Sequence, residues 1–92
     1  MAILFIHDES EDSLANYDEG IRRLEAVGEG HPSGRLFHTA ARKGQGYLVV
    51  DLWESQEAME RFGRILMPIL EQLGSPNATP LVLPVHNIIQ AD

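Results

Sequence analysis

Ninety-two residues with 14 acidic and 7 basic side chains give a formal net charge of −7, no cysteine and 43% hydrophobic residues. A chain this short supports one domain, residues 1–92, and one this small buries only about 60 to 65% of its unfolded surface, so a partner subunit would help. The missing cysteines exclude disulfides, Cys-ligated metal sites and a Cys nucleophile, and the acidic balance argues against nucleic acid, whose phosphates are met by Lys and Arg.

The first residues, Met1-Ala2-Ile3-Leu4-Phe5-Ile6, are apolar but run straight into His7-Asp8-Glu9. They lack a basic leader and are too short for a membrane span, and no other stretch approaches about 18 consecutive apolar residues. The expectation is a soluble, cytoplasmic protein that meets no membrane.

In chain order, Ile3 to His7 is β-branched and aromatic and predicts a strand. The acidic cluster from Asp8 to Asp12 follows, and Ser10 or Ser13 can cap a helix whose positive end those acids favour. Leu14, Tyr17, Ile21 and Leu24 recur at three and four residues and form its core stripe. Gly28, Gly30 and His31-Pro32-Ser33-Gly34 end it. Arg35 to Ala41 and Tyr47 to Trp53 predict a hairpin joined by the turn Arg42 to Gly46. Ser55 caps a second helix with a stripe of Met59, Phe62, Leu66, Leu70 and Leu73, in which Pro68 predicts a kink or break. Gly74-Ser75-Pro76 stops that helix, and Leu81 to Gln90 reads as a fourth strand confined to an edge or bulge by its prolines.

The order βαββαβ, with right-handed crossovers, implies a ferredoxin-like α+β fold: a four-stranded antiparallel sheet of order 4-1-3-2 with both helices on one face. Both strand faces are nevertheless apolar. Tyr47, Val49, Asp51 and Trp53 alternate with Leu48, Val50 and Leu52, and Ile3 and Phe5 with Leu4 and Ile6. An antiparallel sheet with one wet face would alternate apolar with polar, so the second face is expected to meet a second copy of the chain in a homodimer.

The element order, together with Leu48-Val49-Val50-Asp51-Leu52-Trp53-Glu54-Ser55-Gln56-Glu57-Ala58, resembles the dimeric α+β barrel superfamily and its antibiotic-biosynthesis-monooxygenase-like branch. There a similar Trp-Glu-Ser junction links the third strand to the second helix. The resemblance implies a cleft between sheet and helices, with Trp53 as a wall for a flat ligand, and chemistry ranging from cofactor-independent oxygenation to haem degradation. Core packing is the plain alternative for Trp53.

Asp51 shares a face with Trp53 and, in an apolar strand, has to be paired, solvated or protonated. It is a candidate base. Pairing the hairpin around Gly44 sets Phe37 opposite Asp51 and Arg35 opposite Trp53, leaving Arg35 a diagonal structural partner. His38 in the second strand and His86 beside Asn87 in the fourth are further candidates, but these edge strands lie roughly 14 Å apart within one chain, too far to share a metal. His86 would meet partner residues only across a dimer. His7 and His31 read as exposed. Haem-degrading members carry a histidine in the second helix, where this chain has Phe62-Gly63, which disfavours haem, and no nucleotide or zinc motif is present.

The expectation is therefore a dimer without cofactor or metal, acting as an oxygenase on a small apolar or aromatic compound. Catalysis would fall to His38, Asp51 and His86, and substrate binding to Trp53, Tyr47, Phe62 and Asn87. The alternative is a non-catalytic dimer that binds a small ligand or serves another protein.

Overall fold

A computed structural model describes residues 1–76 and 78–91. In chain order the elements are β1 (Ile3–Glu9), α1 (Leu14–Ala26), β2 (Arg35–Lys43), β3 (Gly46–Trp53), α2 (Gln56–Gln72) and β4 (Leu81–Pro84). The sheet is antiparallel with order β2-β3-β1-β4, the arrangement expected from the sequence.

Both helices start where a hydroxyl satisfies a free amide. Ser13 Oγ accepts from the Asn16 amide at 3.0 Å, and Ser55 Oγ from the Ala58 amide at 3.1 Å. The first helix closes through Gly28, whose φ of 80° is open to glycine at little cost. The second helix is not broken at Pro68 and continues to Gln72. The hydrogen bond that Pro68 cannot make is lost between two exposed residues, Pro68 and Arg64, where water can serve the carbonyl.

The core is small. Ile3, Leu24, Trp53 and Phe62 are buried together, and Phe5, Ala58, Met59, Ile65, Leu66 and Ile69 pack around them. Trp53, 1% exposed, lies against Phe62 with ring centroids 5.4 Å apart. The helix-facing row of β1, Ile3, Phe5, His7 and Glu9, stands opposite Trp53, Asp51, Val49 and Tyr47 of β3.

Two strand expectations are corrected. The β2–β3 hairpin pairs Lys43 with Gly46 and His38 with Asp51, and a bulge between Arg35 and Phe37 restores Arg35 opposite Trp53. The turn register, one residue off a hairpin centred on Gly44, turns Phe37 to the outer face, opposite Leu52, and His38 inward. The fourth strand ends at Pro84 rather than reaching Gln90. It runs antiparallel to β1, and after Val85 donates to the Ala2 carbonyl (2.9 Å) the neighbouring strand has begun and offers nothing more to pair with.

No described helix is long and apolar enough to cross a membrane. The sheet face away from the helices carries Leu4, Ile6, Leu48, Val50 and Leu52, and at its edges Phe37, Leu81 and Leu83 are exposed.

Candidate functional site

Between the sheet and the two helices lies a cleft in two compartments. The inner one, of about 60 Å³, is bounded by Tyr17 and Ile21 of α1, Arg35 and His38 of β2, Asp51 of β3 and Phe62 of α2. The outer one, of about 400 Å³, lies between β1, α2 and the residues Ser75, Pro76, Ala78, Thr79 and Pro80. Phe5, His7, Leu66 and Leu70 line both. A small organic ligand needs a few hundred cubic ångströms, so the outer compartment fits its body and the inner one a polar end or a few waters.

The inner compartment holds a continuous hydrogen-bond chain. Asp51 Oδ1 lies 2.6 Å from His38 Nδ1, and His38 Nε2 lies 2.6 Å from the Tyr17 hydroxyl. Asp51, 4% exposed, is a carboxylate and accepts from Nδ1–H, which leaves Nε2 as the acceptor of the Tyr17 proton. Burial raises the Tyr17 hydroxyl above its ordinary range, with the Asp51 and Asp18 charges adding and Arg35 opposing, so Tyr17 keeps its proton at neutral pH. The two rings are almost parallel, 4° apart. The partner of Asp51 is thus His38, not Arg35, because the two-residue turn Gly44-Gln45 sets the register that puts His38 directly opposite it. Arg35 instead donates to the Gly30 carbonyl (3.2 Å) and lies over the Phe62 ring, 5.6 Å from its centroid.

On the β1 side, His7 is not exposed as expected; its side chain is 12% accessible and forms part of the cleft wall. Its Nε2 donates to the Ala78 carbonyl at 3.1 Å and lies 3.0 Å from Glu9 Oε1. Glu9 is 1% exposed, and its carboxyl lies against His7 and the Ala78 backbone. Burial pushes its carboxyl up, opposed by His7 and reinforced by Asp12 and Asp8.

Tyr47 lines the cleft, but its hydroxyl is committed to Asp12 Oδ2 at 3.1 Å. Burial and the Asp12 charge hold that phenol well above its ordinary range. Asp12 also accepts from Asn16 Nδ2 at 2.8 Å. Phe62 is a cleft wall as anticipated, whereas Trp53 is core and lines neither compartment, its Nε1 buried without a partner. His86 and Asn87 are exposed beyond β4, and the single chain does not bring them to the cleft. Tyr17 and His7 carry site chemistry that the sequence reading passed over. Tyr17 fell on the apolar stripe of α1, and His7 adjoins an acidic cluster, although its spacing of two from Phe5 puts it on the core face.

Among the described residues, no group of three or more His, Cys, Asp or Glu could hold a metal ion. In α2, Phe62 and Gly63 offer no ligand to a haem iron.

Comparison with solved structures decides the fold family. SnoaB, a cofactor-independent oxygenase from Streptomyces nogalater, superposes with a TM-score of 0.61 at 14% identity over 98% of this chain and 95% of its own. The chain has the antibiotic-biosynthesis-monooxygenase-like fold. A candidate antibiotic biosynthesis monooxygenase from Deinococcus radiodurans gives 0.62 at 15% identity, covering 100% of this chain and 99% of the other. The haem degrader MhuD from Mycobacterium tuberculosis, which binds two haems in its active site, gives 0.52 at 20% identity over 98% and 100%. No family model matches the chain, and neither does any curated protein sequence. At these identities the antibiotic-biosynthesis-monooxygenase-like fold is shared, and activity has to be argued from the cleft.

Proposed function

We propose that the protein is a cofactor-independent oxygenase acting on a small aromatic compound held in the cleft. The observation that carries this reading is the Tyr17–His38–Asp51 chain at the end of an apolar cleft. In such chemistry the substrate supplies the electrons, and the protein need only remove a proton and exclude water. A ring methylene plus dioxygen gives a carbonyl and water: two C–H bonds are lost, and dioxygen takes the four electrons, leaving one oxygen on carbon and one in water. The Tyr17 oxygen accepts the substrate proton as its own moves to His38 Nε2, and Asp51 stabilises the imidazolium through Nδ1–H. Phe62 and the underlying Trp53 keep the floor of the cleft apolar. The resemblance of fold to an oxygenase named as cofactor-independent supports the reading.

The test is oxygen uptake and product analysis with a panel of phenols, quinols and ring methylenes. Tyr17→Phe is expected to lower kcat about 100-fold on any substrate turned over. Absence of turnover across the panel, or unchanged kcat in that variant, contradicts the reading.

A second reading is a non-catalytic ligand-binding protein. Its support is the inner compartment itself, which is narrow and whose polar groups already satisfy one another. Thermal stabilisation by ligands that are never converted would favour it.

We also propose a homodimer through the outer sheet face. Leu48, Val50 and Leu52 run down the centre of that face, Leu4 and Ile6 beside them, and Phe37 is 56% exposed in the single chain. Rows of this kind are covered in stable proteins. Light scattering at micromolar concentration should give twice the 10.3 kDa chain mass.

A further inference from the structure

His7 stands where the inner and outer compartments meet, and its two nitrogens are in different states. Nε2 faces two oxygens, the Ala78 carbonyl at 3.1 Å and Glu9 Oε1 at 3.0 Å. A carbonyl only accepts, so Nε2 carries the hydrogen and the neutral ring keeps its lone pair on Nδ1. That nitrogen has no hydrogen-bond partner among the described residues. Phe5 holds the ring from the cleft side, edge to face with centroids 5.6 Å apart. Beside it, Glu9 is a buried carboxyl with its Oε1 3.0 Å from the imidazole Nε2. A buried carboxylate is unfavourable without a charged partner, so it gains from a proton placed on His7. The arrangement is that of a base with a carboxyl beside it, in the wall of a cavity of about 400 Å³.

We propose that His7, backed by Glu9, is a second proton-accepting group of the cleft and binds a hydroxyl of a phenolic ligand seated in the outer compartment. The inference deepens the aromatic-cleft reading and rests on it. It differs in where the ligand's acidic oxygen is received: His7 has a free nitrogen, whereas Tyr17 and His38 already bond each other. The other titratable groups around the pair are Asp8 on the same strand, Asp12 in the following loop, Tyr47 across the β1–β3 ladder, and Glu60 and Glu71 at the α2 rim of the outer compartment. Those carboxylates make the rim negative, so a neutral phenol enters more readily than a preformed anion and becomes phenolate only on meeting His7.

The probe is 4-nitrophenol, whose phenolate absorbs in the visible and whose phenol does not. Bound to the wild-type protein it should be ionised to a larger extent than free probe in the same buffer below neutral pH. His7→Gln should bind it at least fivefold more weakly and abolish the excess phenolate band. Glu9→Gln, which keeps the imidazole, should cut that excess by half or more, and serves also if His7→Gln does not fold. Tyr17→Phe should lower the excess less than His7→Gln does. Probe that binds His7→Gln or Glu9→Gln with wild-type affinity and spectrum overturns the inference alone. An excess lost in Tyr17→Phe and retained in the His7 variant assigns the proton to Tyr17 and likewise overturns it. Failure of the wild-type protein to bind the probe at all contradicts the aromatic-cleft reading and this inference with it.

Discussion

The cleft contains two histidine–carboxylate pairs built on opposite logic. His38 spends both nitrogens, one on Asp51 and one on Tyr17, each at 2.6 Å, so its orientation and the tautomer of its neutral ring are fixed from within. His7 spends one nitrogen on the Ala78 carbonyl and the buried Glu9 carboxyl and leaves the other without a partner among the described residues. The closed pair gives rigidity and a route for a proton, whereas the open pair has unsatisfied chemistry and lies beside the larger cavity. The difference teaches that counting histidines in a cleft is less informative than counting their free nitrogens.

The corner that holds the open pair is the most sensitive point. Gly46 lies where a Cβ would come 2.0 Å from the Glu9 carbonyl oxygen and 3.0 Å from that of Asp12. Gly46→Ala is therefore expected to destabilise the protein by about 3 kcal/mol, through forced separation of β1 and β3 at Glu9. Urea denaturation checks it; a loss below about 1 kcal/mol would show that the corner yields easily.

The closed pair predicts the next effect. Asp51→Asn leaves His38 Nδ1–H facing an uncharged amide, and the loss of a buried charged acceptor is expected to cost about 2 kcal/mol. Tyr17→Phe removes a neutral donor and should cost about 1 kcal/mol. Members of one network couple, so the double variant Tyr17→Phe/Asp51→Asn should depart from additivity by about 0.5 kcal/mol or more, while Tyr17→Phe/Glu9→Gln adds to within about 0.5 kcal/mol. Equal coupling in both cycles would erase the distinction between the pairs.

The pH dependence of stability separates them again, more gently. Glu9 is raised above its ordinary 4.5 by burial, so the folded state binds its proton more tightly than the unfolded chain does. Its contribution is complete below that ordinary value and is lost as pH rises through the elevated one. Glu9→Gln removes the dependence, so its stability relative to wild type should climb from about pH 4.5 toward neutrality. A difference that is flat with pH would mean that Glu9 ionises freely in the folded state.

Much of this was legible in the chain itself. The strand and helix periods, the serine caps and the two-sided apolar strands lead to the observed sheet order, and His38, Asp51, Tyr47 and Phe62 were singled out for a site they do line. What sequence alone could not show was the bulge between Arg35 and Phe37, because one unpaired residue leaves no mark in a run of this composition. Nor could it show the two-residue turn Gly44-Gln45, whose register, rather than that of a hairpin centred on Gly44, sets His38 inward opposite Asp51. Tyr17 was hidden for a different reason: its aromatic body belongs to the helix's apolar stripe, and only its hydroxyl joins the hydrogen-bond chain. Trp53 shows the converse, a residue marked by resemblance as a ligand wall that this chain uses as core.

The central claim, that the two histidines of the cleft are held in opposite tautomers by different partners, is tested most directly by long-range proton–nitrogen correlation NMR of the uniformly nitrogen-15-labelled protein above neutral pH. The account predicts a protonated Nδ1 with an acceptor Nε2 for His38, and a protonated Nε2 with a lone pair on Nδ1 for His7. Finding the same tautomer at both positions, or rapid averaging at His38, would contradict it.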